Sequence, residues 1–303
     1  MSPTSRMAAL TTVLVLLVNG CTGTASGPSN GGSEPAPGRR TTISMPIRQY
    51  VALGDSFTAA PYVPTTDLAD GCLRSNGNYP SLVAARLDIP DFTDVSCSAA
   101  QIRDLGKPQR TFRGTKAPAQ LKSLTEQTDL VTISVGGNDF NLFGNLLQTC
   151  TALRVVDPDG APCTDQFARK GVDPTAQIER IGKLLAKAIT EVRRRSPDSR
   201  ILVVGYPRIT PTDGTCPRLL PLAKGDYVTA ARVARSLSLA MQAAATSTGV
   251  GFVNMHASSR GHDVCSKDPW VNGRFTDQKA ALAFHPFARG MRAVAARIVS
   301  RLE

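Results

Sequence analysis

Four short, nearly continuous apolar runs constrain this chain most: Tyr50-Val51-Ala52-Leu53, Leu130 to Val135, Ile201 to Val204 and Val250-Gly251-Phe252-Val253. Runs of this length without polar alternation read as strands covered on both faces. A weaker fifth candidate is Phe92 to Cys97. Helical patterns lie between them. Ile178, Ile181, Leu184, Leu185, Ile189 and Val192 recur at helical spacing, Val228 to Ala245 is alanine-rich, and Tyr79 to Leu87 is a shorter segment. His285 to Leu302 forms a last one, with Pro286 suited to a first helical turn. Strands alternating with helices predict a mostly parallel central sheet with helices on both faces, a three-layer α/β/α fold. In such sheets ligands bind beyond the carboxyl ends of the strands. Two cysteine-containing stretches, Phe140 to Asp173 and Arg208 to Leu222, break the alternation and are expected to pass over the sheet edge.

The N-terminus reads as targeting rather than fold. Arg6 precedes an apolar stretch, Met7 to Val18, that is short for a membrane span but suits a signal peptide over residues 1–20. Cys21 follows directly in Leu17-Val18-Asn19-Gly20-Cys21, which resembles a bacterial lipobox whose cysteine is lipidated. The alternative is a plain secretion signal cleaved nearby. Residues 21–40 are rich in Gly, Ser, Thr, Pro and Ala, the composition of a flexible tether, so the folded domain is expected over 41–303. Six further cysteines, Cys72, Cys97, Cys150, Cys163, Cys216 and Cys265, point to three disulfides in an oxidising compartment, with the pairing left open. The net charge of +11 is spread along the chain, with no basic stripe interleaved with aromatics, so nucleic acid is not an expected partner. An anionic envelope surface is a more natural partner for that charge, the alternative being that the charge serves only solubility.

Three blocks carry chemistry, two at expected strand ends and one at an expected helix start. The first run closes on Gly54-Asp55-Ser56-Phe57, where a glycine permits a sharp turn and leaves Ser56 placed for attack. Thr58 stands where the Gly-x-Ser-x-Gly elbow would need its second glycine, so that motif is excluded. The run ending at Val135 continues into Gly136-Gly137-Asn138-Asp139, and an amide beside glycines can be aimed at an oxyanion. Phe284-His285-Pro286 places a histidine at an expected helix start, whose dipole favours the neutral imidazole that a general base requires. His256, His262 and Cys265 lack a carboxylate at ligand spacing, so neither a metal nor another cofactor is expected.

Taken together, Gly54-Asp55-Ser56, Gly136-Gly137-Asn138-Asp139 and Phe284-His285-Pro286 resemble, in order and spacing, the blocks of the SGNH (GDSL-type) hydrolase family. The resemblance covers residues 48–303, and the cysteines make the chain most similar to the actinobacterial secreted esterase and lipase branch. It implies a flavodoxin-like fold and pairing of Cys72 with Cys97, Cys150 with Cys163 and Cys216 with Cys265. It also implies a nucleophile Ser56, a base His285 and an oxyanion hole from the N–H groups of Ser56 and Ala99 and the Asn138 amide. Gly54, Asp55 and Gly136 then support the site. Two departures stand out. Ala99 replaces the family's usual glycine, and its donor role survives if its φ is negative. Leu282 stands where the family usually has an aspartate, so its main-chain carbonyl is expected to orient His285. Asp263 and Asp277 remain alternatives for that role. The implied activity is cofactor-free hydrolysis of acyl esters by an exported monomer, secreted or tied to the membrane through Cys21. The alternatives are an envelope acyltransferase and a non-catalytic envelope-binding lipoprotein.

Overall fold

The computed structural model describes residues 46–303. The expected signal segment, tether and Cys21 lie outside the described residues. Five strands form one sheet, all neighbours parallel: β1 (Gln49–Gly54), β2 (Asp91–Asp94), β5 (Leu130–Ser134), β6 (Arg200–Val204) and β7 (Gly251–Val253). They lie in the order β2-β1-β5-β6-β7. The two-residue strands β3 (Gln109–Arg110) and β4 (Lys116–Ala117) pair antiparallel in a separate ribbon. Each expected run is therefore a strand, and the weak fifth candidate forms a shorter one that ends at Asp94.

Alternation along the strands explains the two helical layers. Val51, Leu53, Val131, Ile133, Ile201 and Val203 face one core, which includes Ile181, Leu185, Ile189, Leu237 and Met241. Tyr50, Ala52, Leu130, Leu202 and Val204 face the other, with Tyr79, Val83, Met291, Val294 and Ile298. The first layer contains helices α7 (Pro174–Arg195) and α8 (Asp226–Ser247), and the second contains α2 (Tyr79–Arg86) and α10 (Ala288–Leu302). Shorter helices are α1 (Ser56–Ala59), α3 (Ile102–Gly106), α4 (Leu142–Gly144), α5 (Cys150–Leu153), α6 (Pro162–Arg169) and α9 (Met255–Ser258).

Two expectations are corrected here. His285 does not open the last helix. Phe287 is its extended N-cap, because Pro286 bridges Val271 and the Phe287 N–H donates to the Trp270 carbonyl at 2.8 Å, which hold the chain in β conformation until Ala288. The stretch from Phe140 does not pass over a sheet edge either. It leaves β5, the central strand, and Asn141, Phe143, Gly144, Leu147 and Gln148 line a cavity beside the carboxyl ends of the strands. The disulfides are Cys72–Cys97, Cys150–Cys163 and Cys216–Cys265. Cys265 is thereby removed as a metal ligand. His262 stacks on Trp270 with centroids 4.2 Å apart, and His256 is buried in α9.

Candidate active site

The nucleophile candidate owes its place to the residue two before it. A Cβ on Gly54 would sit 2.1 Å from Thr58 Oγ1 and 2.8 Å from the Ser134 carbonyl, so only glycine lets β1 turn directly into α1. Gln120 secures this strand end on both sides, accepting from the Gly54 N–H at 2.8 Å and donating to the Gly54 carbonyl at 2.9 Å. Asp55 caps α1 by accepting the Phe57 N–H at 2.9 Å. Ser56 is the first helical residue and faces a cavity of about 510 Å³.

Ser56 Oγ lies 2.7 Å from His285 Nε2, although the two are far apart in sequence. The other ring nitrogen, Nδ1, lies 2.7 Å from the Ala283 carbonyl. A carbonyl can only accept, so Nδ1 carries the proton and Nε2 is left to accept from the serine hydroxyl. The main-chain acceptor is thus Ala283, not Leu282. The Leu282 carbonyl instead accepts the His285 N–H at 3.1 Å and is reached by Asn272 Nδ2 at 3.3 Å. Phe284, left-handed at φ 60°, redirects the chain between them. Neither alternative acid bonds the imidazole: Asp263 caps the Cys265 N–H and Asp277 the Lys279 N–H. Burial pushes His285 down to about 4, outweighing the upward pull of the Ala283 carbonyl. Desolvation, rather than a helix dipole, keeps this imidazole neutral.

Asn138 and Ala99 line the same cavity. The Asn138 amide donates one hydrogen to the Ala100 carbonyl at 3.0 Å, which fixes its plane and leaves the second hydrogen for another acceptor. Gly136 allows the preceding turn at φ 130°, a region that L side chains rarely adopt. The Ala99 backbone is at φ 66° rather than the negative value expected. The condition set on φ is thus not met; Ala99 instead keeps the left-handed conformation in which a glycine would be free of strain, at a cost of about 1 kcal/mol, and presents its N–H as that glycine would. The Ala99 and Ser56 N–H groups have no intramolecular acceptor among the described residues.

Several neighbours escaped sequence reasoning. Tyr206 donates to Asp55 Oδ2 at 2.5 Å and accepts the Gly137 N–H at 3.0 Å. It lies two residues past the end of β6, so the strand-end rule could have flagged it. Asn272 organises the histidine loop by donating to the Phe275 and Ala281 carbonyls at 2.7 and 3.0 Å. Phe57, Phe143, Leu147, Leu282 and Phe284 give the cavity an apolar wall. Phe57 lies against the imidazole with centroids 5.0 Å apart.

Comparison with known proteins agrees with this architecture. Residues 52–293 match the model of the GDSL-like Lipase/Acylhydrolase family. The chain is 37% identical over 282 residues to Lipase 2 of Streptomyces coelicolor, covering 89% of this chain and 90% of that protein. The crystal structure of phospholipase A1 from Streptomyces albidoflavus superposes with a TM-score of 0.70 at 27% identity, over 84% of this chain and 99% of that one. An extracellular lipase from Streptomyces rimosus gives a TM-score of 0.68 at 25% identity, over 83% and 98%. The chain belongs to the GDSL-like lipase/acylhydrolase family and is a hydrolase of carboxylic esters.

Proposed function

We propose that this protein is an exported lipase or esterase in which Ser56 and His285 act as a catalytic dyad on acyl esters with an apolar acyl chain. The observation that carries the reading is the 2.7 Å contact between Ser56 Oγ and His285 Nε2 inside a cavity with an apolar wall. Ser56 Oγ attacks the ester carbonyl while Nε2 takes its proton. Negative charge on the carbonyl oxygen is met by the N–H groups of Ser56 and Ala99 and by the free Asn138 amide hydrogen. The imidazolium then protonates the leaving alcohol, and water repeats the sequence to release the acid. The Ala283 carbonyl supplies what a triad carboxylate usually supplies, namely the tautomer and the ring orientation, but only with a dipole.

The acyl chain is placed against Phe143, Leu147 and Phe284. The Streptomyces relatives named as lipases, a phospholipase and an extracellular lipase support a lipid ester as substrate and export as the destination. Membrane attachment through Cys21 rests on the lipobox-like sequence. Hydrolysis of p-nitrophenyl esters of graded chain length, with Ser56→Ala as the blank, tests the reading. Ester turnover by the wild type and none by the blank is expected; equal rates would remove Ser56 from the mechanism. Labelling of Ser56 by a fluorophosphonate separates an enzyme from a binding protein of the same fold.

A further inference from the structure

We infer that Tyr206 is a positioning residue for this reaction: through Asp55 and Gly137 it locks the nucleophile turn to the oxyanion turn. The inference rests on the Ser56–His285 reading above and adds a residue to it.

The geometry is a continuous chain of hydrogen bonds beneath the cavity. Gly137 N–H donates to Tyr206 Oη at 3.0 Å, and Tyr206 O–H donates to Asp55 Oδ2 at 2.5 Å. The Phe57 N–H then donates to Asp55 Oδ1 at 2.9 Å. Gly137 immediately precedes Asn138, and Asp55 immediately precedes Ser56. One phenol therefore sets the separation of the two turns whose groups would have to meet at one substrate carbonyl. Its ring is gripped edge-on by Phe57 and Phe143, with centroids 5.0 and 5.1 Å away. Tyr206 is buried and is absent from the cavity lining, so it acts through its neighbours rather than on substrate.

Asp55 makes the lock sensitive to protonation. It is fully enclosed, and burial pushes its carboxyl up to about 7, while the Tyr206 and Phe57 hydrogen bonds pull it down. The ionisable groups acting on it are Tyr206 after β6, Asp139 after β5 and Tyr79 on α2; Asp139 raises it further, and no cation is among the named influences on it. His285 shares the cavity, but its own depressed value keeps it neutral down to about 4. Protonation turns an anionic acceptor into a neutral carboxyl, so the charge-assisted tie between phenol and carboxylate weakens as pH falls through about 7.

The test is the pH dependence of kcat and KM for a soluble p-nitrophenyl ester with wild type, Tyr206→Phe and Asp55→Asn, folding being followed by circular dichroism. Misplacement of catalytic groups by about 1 Å costs roughly 100-fold, so Tyr206→Phe is expected to lose about 10- to 100-fold in kcat with KM little changed. Loss of the phenol removes a hydrogen bond that stabilises the carboxylate, so the acid limb of Tyr206→Phe moves to higher pH. Asp55→Asn cannot titrate, and its profile lacks the limb near neutrality and falls only as His285 protonates. An acid limb that stays where it is in Tyr206→Phe, or that persists near neutrality in Asp55→Asn, overturns the inference. So does wild-type kcat in Tyr206→Phe. A fall in melting temperature with an unmoved pH profile assigns Tyr206 a purely structural role and overturns it too. Should Tyr206→Phe fail to fold, Asp55→Asn alone decides. A wild type that neither hydrolyses esters nor takes a fluorophosphonate at Ser56 refutes the underlying dyad instead.

Discussion

At the scale of single residues, the site is defined by which group supplies each hydrogen bond. Asn138 holds one amide hydrogen on the Ala100 carbonyl, and the other is assigned to the oxyanion. Asn138→Ala is therefore expected to lower kcat by about 100- to 1,000-fold with little change in KM, because the charge it meets exists only in the transition state. A rise in KM at constant kcat would make it a binding residue. The acids near the histidine give the opposite expectation. Asp263 and Asp277 each cap a main-chain N–H in their own loop rather than the imidazole. Asp263→Asn and Asp277→Asn should each keep turnover close to wild type, whereas removal of a true triad acid costs about 10,000-fold. Steady-state kinetics of the two folded variants checks this. Ala99 offers a stability test. Its left-handed backbone holds about 1 kcal/mol of strain, so Ala99→Gly should keep activity and leave the melting temperature level or slightly raised in calorimetry.

At the scale of elements, the segment after β5 shapes specificity. Phe140 and Asn141 are left-handed in succession at φ 52° and 55°, and Asn145–Thr149 winds as a π-helical turn. Such irregular backbone gathers at functional sites, and here it presents Phe143 and Leu147 to the cavity. Burial of each methylene is worth about 0.8 kcal/mol, roughly fourfold in kcat/KM. The wild type should thus gain with acyl length until the wall is covered. Leu147→Trp should end that gain at a shorter chain while affecting the shortest esters least, as read from a p-nitrophenyl ester series. These features were invisible in the sequence. Phe140 to Asp173 has no simple period, and whether a phenylalanine adopts positive φ depends on neighbours supplied from elsewhere, such as Arg180 packed 4.4 Å over the Phe140 ring. The helix before Leu302 was legible, but its start was not. Pro286 suits a first turn, yet the bridge to Val271 overrides that local preference.

At the scale of the whole molecule, the disulfides close loops of 25, 13 and 49 residues in sequence separation. In the chain-entropy account, the longest constrains the unfolded chain more than the shortest by about 1 kcal/mol. Replacing Cys216 and Cys265 by serine should therefore lower stability more than the same change at Cys150 and Cys163, measured by denaturant titration. The amino-acid order by itself determined the parallel sheet, because buried strands need unbroken apolar runs and helices need a period near 3.6. It also placed Ser56 and Asn138 just past strand ends, which in such a sheet converge on one edge, whereas His285 was expected at a helix start that the fold moved to Ala288. Only the tertiary structure decided that Ala283 rather than Leu282 meets the imidazole, that Ala99 is left-handed, and that Tyr206 lies between Asp55 and Gly137. Each of these depends on the direction of a single carbonyl, torsion or hydroxyl. Such directions are set by contacts between residues far apart in the chain, which neither periodicity nor spacing encodes.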